Sequence, residues 1–171
     1  MSAPPENQAN FFGMVDAPEP EKLTKLPYYG ISGKVFRCSM PFHKDYDPKG
    51  KAYAEMKSQK VSAVVMLVSD DEARKKSGRD LRAMYQKDGL TVIHLPIEDR
   101  DVPARSALDE AVAQALKLAR EGKSLAVHCS AGIGRTGLFL AELAKKAMGL
   151  DGEKALYWVR LYVPGAVENK L

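Results

Sequence analysis

Between Leu125 and Gly137 the chain reads LAVHCSAGIGRTG, and this stretch constrains the fold more than any other. Leu125, Ala126 and Val127 form a short apolar run of the kind that makes a buried strand. A tight loop from Cys129 to Arg135 follows, and a helix is predicted to open at Thr136. The loop interior, Ser130-Ala131-Gly132-Ile133-Gly134, is small or neutral and carries two glycines. Glycines let the backbone curl until successive N–H groups point into one concavity, an anion nest. The helix N-terminus behind the loop adds free amides and the positive end of a dipole. Strand, anion-holding loop and helix in that order suit an α/β sheet, where ligands bind at the carboxyl ends of the strands.

A thiol in such a nest is stabilised as the thiolate, its nucleophilic form. The planar fork of Arg135 matches two phosphate oxygens. Cys129 as nucleophile, loop amides as cradle and Arg135 as clamp together describe transfer of a phosphoryl group from a monoester to sulfur. A buried strand-end cysteine beside a glycine turn is the bland alternative. It gives no reason for an arginine to close the loop.

The string HCSAGIGRTG resembles the His-Cys-x5-Arg-Ser/Thr signature of the cysteine-dependent protein tyrosine phosphatase superfamily at every defining position, from His128 to Thr136. The resemblance implies that Cys129 attacks phosphorus to form a phosphocysteine, that Arg135 holds substrate and transition state, and that the Thr136 hydroxyl helps the thiolate leave. His128, Ser130, Ala131, Gly132, Ile133 and Gly134 would bind the phosphate with Arg135. Two weaker segments are similar to the small dual-specificity and kinase-associated types. KVFRC, residues 34–38, reads as a strand, and with the Ser39-Met-Pro41 that follows it is similar to their Tyr-Arg-Ser-x-x-Pro entry segment. PIEDRDVP, residues 96–103, is similar to their acid loop.

That acid loop matters chemically, because an alkoxide or phenoxide leaves phosphorus badly without a proton. Glu98, Asp99 and Asp101 are the carboxylates available, and the resemblance places the general acid at Asp99, with Asp101 as the alternative. The tyrosine-specific members carry Trp-Pro-Asp instead; here the single tryptophan is Trp158. PGAVE, residues 164–168, is similar to a family segment that precedes a water-orienting glutamine, which would be expected about where the sequence ends at Leu171. Arg160 is the candidate replacement for an arginine the family often carries just before that segment.

Around these motifs, apolar runs alternate with helical ones. Val61 to Val68 reads as a strand buried on both faces and Leu90 to Leu95 as a second. Helices are expected at 50–59, over a polar stretch from Ser69 to Lys87, from Ser106 (as cap) to Arg120, from Thr136 to Met148, and after Asp151, with Trp158 in the core. The predicted architecture is a single α/β domain, its central mostly parallel sheet of four or five strands flanked by helices, occupying 34–171. Residues 1–33 read as a partly disordered, proline-punctuated extension in which Phe11 to Val15 could form an edge strand and Tyr28 and Tyr29 pack, a substrate rim being the alternative. Cys38 reads as a plain strand cysteine, with an oxidative link to Cys129 as the alternative, and His94 as a strand histidine without a second metal ligand nearby.

Composition bounds the partners. The 171 residues carry a net charge of +4 without a Lys/Arg tract, so nucleic-acid binding is not indicated, while an anionic substrate is suited. No apolar run reaches membrane-spanning length and the start lacks a signal core, so a cytoplasmic location is expected. Two cysteines are too few for a disulfide scaffold. Neither cofactor nor metal is called for, and a monomer is expected. The substrate classes are a phosphorylated protein, on tyrosine or also on serine and threonine, and an inositol phosphate or phosphoinositide. The neutral loop interior favours the first. Lys44, Arg100 and Arg105 are flanking cations that would serve the second. A non-catalytic phosphate-binding module is a minor third reading.

Overall fold

The computed structural model describes residues 20–99 and 101–167. Among these, five strands and six helices alternate in the order β1 (Thr24–Leu26), β2 (Val35–Cys38), α1 (Lys51–Ser58), β3 (Val61–Met66), α2 (Asp70–Ser77), α3 (Leu81–Lys87), β4 (Thr91–His94), α4 (Arg105–Arg120), β5 (Ser124–His128), α5 (Gly134–Met148) and α6 (Gly152–Tyr162). The strands form one sheet in the order β1-β2-β5-β3-β4. All neighbours run parallel except β1, which is antiparallel to β2. The α/β architecture expected from the alternation is therefore present, with five strands.

β5 lies at the centre, paired with β2 through Cys38↔His128 and with β3 through Met66↔His128. Ala63 to Met66 are all buried, as a β-branched run covered on both faces should be. The 90–95 run is not its equal: β4 is the sheet edge, and Thr91 is exposed. His94 bonds the Val68 carbonyl through Nε2 at 2.8 Å, a structural role as expected. Because β4 and β5 both run parallel to β3, the segments that follow them leave at the same end of the sheet. That shared direction brings the acid loop to the signature loop.

The helix boundaries show where local chemistry decided. The stretch expected to be one helix from Ser69 to Lys87 is two, because Gly78 ends α2 in a left-handed conformation at φ 74° and Asp80 starts α3 by accepting from Ala83 N–H. Ser106 is not the cap of α4; that helix starts one residue earlier, behind Ala104, which offers no capping side chain. Asp151 caps α6 as expected, accepting from Lys154 N–H at 2.8 Å. Trp158 is half-buried rather than central and meets Tyr28 edge-on with ring centroids 4.7 Å apart. Tyr28 also donates to the Leu140 carbonyl and so packs as expected, whereas Tyr29, expected to pack with it, is exposed. The Phe11–Val15 segment lies outside the described residues. Thr24–Leu26 falls in the stretch read as an extension, yet it supplies the fifth strand through Leu26↔Val35.

Candidate active site

The signature loop is built from behind. Arg37 on β2 donates from Nε to the Gly132 carbonyl and from Nη2 to the Ala131 carbonyl, both at 3.0 Å. With those two carbonyls tied back, the loop's amides are left for the other side. Gly132 has φ +80°, and a Cβ there would come within 2.1 Å of the Cys38 carbonyl oxygen and 2.3 Å of Arg37 Nη2. Only glycine fits so close an approach of two backbones. The helix begins at Gly134, two residues before the expected start, so Arg135 and Thr136 sit in its first turn.

His128, expected among the substrate-binding residues, is fully buried at the end of β5 and outside the cavity lining, where it fixes the base of the loop. Its Nδ1 donates to the Cys129 carbonyl at 3.0 Å, and its Nε2 accepts from Tyr85 O–H at 2.9 Å. A carbonyl can only accept, so the proton is on Nδ1. Burial lowers the imidazole pKa to about 4, and it is neutral at physiological pH.

Cys129 is buried at the floor of a cavity of about 210 Å³ lined by Tyr46, Lys76, Asp99, Ser130, Ala131, Gly134 and Arg135. Arg135 is held there by a bidentate pair with Glu72 of α2: Nη1 to Oε1 at 2.8 Å and Nη2 to Oε2 at 2.9 Å. Nη1 also donates to the Ile97 carbonyl at 2.8 Å, which ties the start of the acid loop to the same guanidinium. Asp99, two residues on, places Oδ1 3.8 Å from Arg135 Nη2 and is otherwise open to solvent. No described residue takes the Arg135 Nε–H, which leaves an edge of the fork for an incoming anion.

Burial raises the Glu72 carboxyl, but bonds from Arg135 and Lys76 outweigh this and hold it at about 2. Burial likewise lowers Arg135, yet the Glu72 bond leaves it raised overall. Lys76 Nζ donates to Glu72 Oε2 at 2.9 Å and to Ser130 Oγ at 3.0 Å. One carboxylate thus holds two cations at the cleft. Thr136 Oγ1 is buried without a hydrogen-bond partner among the described residues, as a hydroxyl kept for a transient partner would be.

Not every expected residue gathers here. Ile133 is partly exposed and stands outside the cavity lining, with Gly132 buried behind it. Lys44 is exposed and joins this region through its N–H, bonded to the Lys76 carbonyl at 2.9 Å; the lysine lining the cavity is Lys76. Arg105 is engaged elsewhere, by Glu142 at 2.6 Å and Asp109 at 2.9 Å. Arg100 and Glu168 lie outside the described residues. Arg160 donates to the Ala166 and Val167 carbonyls, both at 2.8 Å, and so holds the 164–167 turn. Asp101 accepts from the next backbone N–H, Val102, at 2.8 Å.

Sequence reasoning missed Glu72, Lys76, Tyr46 and Arg37. For Glu72 one signal was present: Ser69-x-x-Glu72 has the spacing of a capping box, and Ser69 Oγ accepts from Glu72 N–H at 3.0 Å. Its carboxylate, however, turns to Arg135 instead of the cap. Cys38 and Cys129 are both free and buried, and burial pushes the Cys38 thiol up to about 12. The plain strand cysteine is what is seen. Among the described residues no cluster of three metal-ligating side chains occurs, and no helix is long and apolar enough to cross a membrane.

A parallel α/β sheet that sets a Cys-x5-Arg loop against an acid loop defines the class of cysteine-dependent phosphatases. Residues 38–147 match the family model described as Tc-R-P, polymorphic toxin system, DSP-PTPase phosphatase, and the chain belongs to that family. It is 28% identical over 145 residues to tyrosine-protein phosphatase cdc-14 of Caenorhabditis elegans, a match covering 80% of this chain and 19% of that protein. It is 32% identical over 87 residues to human protein tyrosine phosphatase type IVA 3, covering 50% of each. The chain therefore spans about a fifth of the length of the first relative and half of the second. Among solved structures, Tk-PTP in its active form is 30% identical with a TM-score of 0.66, covering 82% of this chain and 89% of that one. Kinase-associated phosphatase, with its catalytic-site cysteine replaced by serine, superposes at a TM-score of 0.79 over 90% of each chain; at 22% identity that likeness concerns the fold.

Proposed function

We propose that this chain is a phosphomonoester hydrolase working through a phosphocysteine and acting on phosphorylated protein side chains. The observation that carries the reading is the gathering of Cys129, Arg135 and Asp99 around one cleft, floor to mouth. A phosphate entering it meets the loop amides and the open edge of the Arg135 guanidinium. The Cys129 thiolate attacks phosphorus, forming the S–P bond as the P–O ester bond breaks, and the Asp99 carboxyl gives its proton to the leaving oxygen. Asp99, now a carboxylate, takes a proton from water as that water attacks phosphorus. The S–P bond breaks, inorganic phosphate leaves, and the thiolate returns. Thr136 Oγ1, buried and unpartnered, is the donor proposed to stabilise that departing thiolate.

His128 acts by holding the Cys129 carbonyl and does not exchange protons. The matched family model is described as a DSP-PTPase phosphatase of a polymorphic toxin system, which supports the phosphatase reading. The catalytic domain proposed over 34–171 takes its outer strand from the residues before it.

The test is phosphate release from phosphotyrosine and phosphothreonine peptides and from inositol hexakisphosphate, wild type beside Cys129→Ser. Release from the peptides that vanishes in the variant is expected. Release from the inositol phosphate alone replaces the protein substrate with the second class, and release that persists in Cys129→Ser removes the thiolate from the mechanism.

A further inference from the structure

The cleft is graded in depth. At the floor, Cys129 is 3% exposed and the Arg135 side chain 4%. At the mouth stand Lys76 at 36%, Tyr46 at 49% and Asp99 at 70%. The mouth is also polarised. One wall is the acid loop, from which Asp99 lines the cavity. The other is Lys76 and the loop holding Tyr46, where Lys44 is exposed next to the Lys76 backbone and Lys22 Nζ bonds the Tyr46 carbonyl at 3.3 Å. Of the two acids in that loop, Asp47 is buried and accepts from the Lys51 and Ala52 N–H groups at the start of α1, which leaves Asp45 against three lysines.

An ammonium has three N–H bonds. Lys76 directs one to Glu72 and one to Ser130, and the third has no partner among the described residues. Those two anchors hold Nζ in place, which removes part of the ordering cost a free surface lysine would meet on binding. Ser130 Oγ, by accepting from Lys76, keeps its own proton to donate. A loop interior without a cation, residues 130–134, is thus given one from α2.

We propose that Lys76 is a specificity-determining residue that takes a second anionic group of the substrate, a carboxylate or a phosphoryl group, beside the phosphate held on the floor. The inference rests on the phosphatase reading above. The scissile phosphate is taken by the loop and Arg135 at depth. An anion carried next to it meets the Lys76 ammonium at the mouth.

The experiment compares matched pairs: a phosphotyrosine peptide with a flanking glutamate against the same peptide with alanine, and an inositol bisphosphate against a monophosphate. Wild type is expected to favour the more anionic member in kcat/KM by about fivefold at low salt, the size of a partly exposed charge pair. In Lys76→Met the ratio falls to about one, and in Lys76→Arg it is largely retained. The pair that shows the preference identifies the source of the second anion. Equal ratios in wild type and Lys76→Met overturn the proposal. Binding of the peptide pair to Cys129→Ser reads the same preference without turnover. Absence of a Lys76-dependent preference in both pairs overturns this inference alone, whereas wild type without cysteine-dependent release overturns the phosphatase reading.

Discussion

Glu72 grips Arg135 through two parallel N–H···O bonds of 2.8 and 2.9 Å, although 63 residues separate them. The pair turns a mobile arginine into a fixed fork in the cavity that Cys129 also lines. Removing one partner of such a pair strands the other charge, here on an arginine side chain only 4% exposed. Glu72→Ala is therefore expected to lower stability by about 3 kcal/mol in urea unfolding and to raise KM. Unchanged stability and KM would show that the fork needs no holder.

The same carboxylate sets an acid limit. Its folded pKa of about 2 lies below the ordinary 4.5, so the unfolded state binds the proton first as pH falls. The stabilisation is complete above about 4.5 and is lost as pH falls through that value towards 2. Stability measured between pH 5 and 2.5 should fall less steeply in Glu72→Gln than in the wild type.

His128 makes a second, separate window. Its folded pKa of about 4 lies below the ordinary 6.5, so stability declines as pH falls from 6.5 towards 4 because only the unfolded state takes up the proton. His128→Gln should flatten that decline in chemical unfolding at pH 4.5 to 7. Tyr85→Phe removes the donor to His128 Nε2 and should cost about 1–3 kcal/mol at pH 7.

Gly132→Ala tests the loop itself. A left-handed alanine costs about 1–3 kcal/mol before any clash is counted, and its Cβ would also sit 2.1 Å from the Cys38 carbonyl oxygen. The variant should melt lower and lose phosphate binding with activity. Full activity would mean that the loop takes another shape.

Asp99→Asn separates the two candidate acids. The expected loss is about 10²–10⁴ for poor leaving groups and much less for nitrophenolate, which departs unaided. Asp101→Asn, whose carboxylate accepts from its own neighbour's N–H, should change the rate little on either substrate. The reverse pattern would move the acid to Asp101.

What was legible in the sequence was local. A β-branched run marks a strand, glycines mark a nest, and Asp151 announces a helix, because these signals act within a few residues through backbone sterics and hydrogen bonds. Cys129, Arg135 and Asp99 were found for that reason: each stands in a short segment whose chemistry is complete. Glu72, Lys76, Tyr46 and Arg37 were not, because an acid in the first turn of a helix or an arginine on a strand reads identically whether it faces solvent or another charge. Arg37 meets Gly132 across 95 residues and Lys76 meets Ser130 across 54. The order of the strands, with β3 between β4 and β5, belongs to the same class. By itself the sequence determined the proposed nucleophile, the glycine loop around it and the elements that carry them. Which side chains hold the arginine, which lysine reaches the cleft and where the two loops meet were decided only by tertiary packing, since contacts between distant segments exist only once the sheet has brought them together.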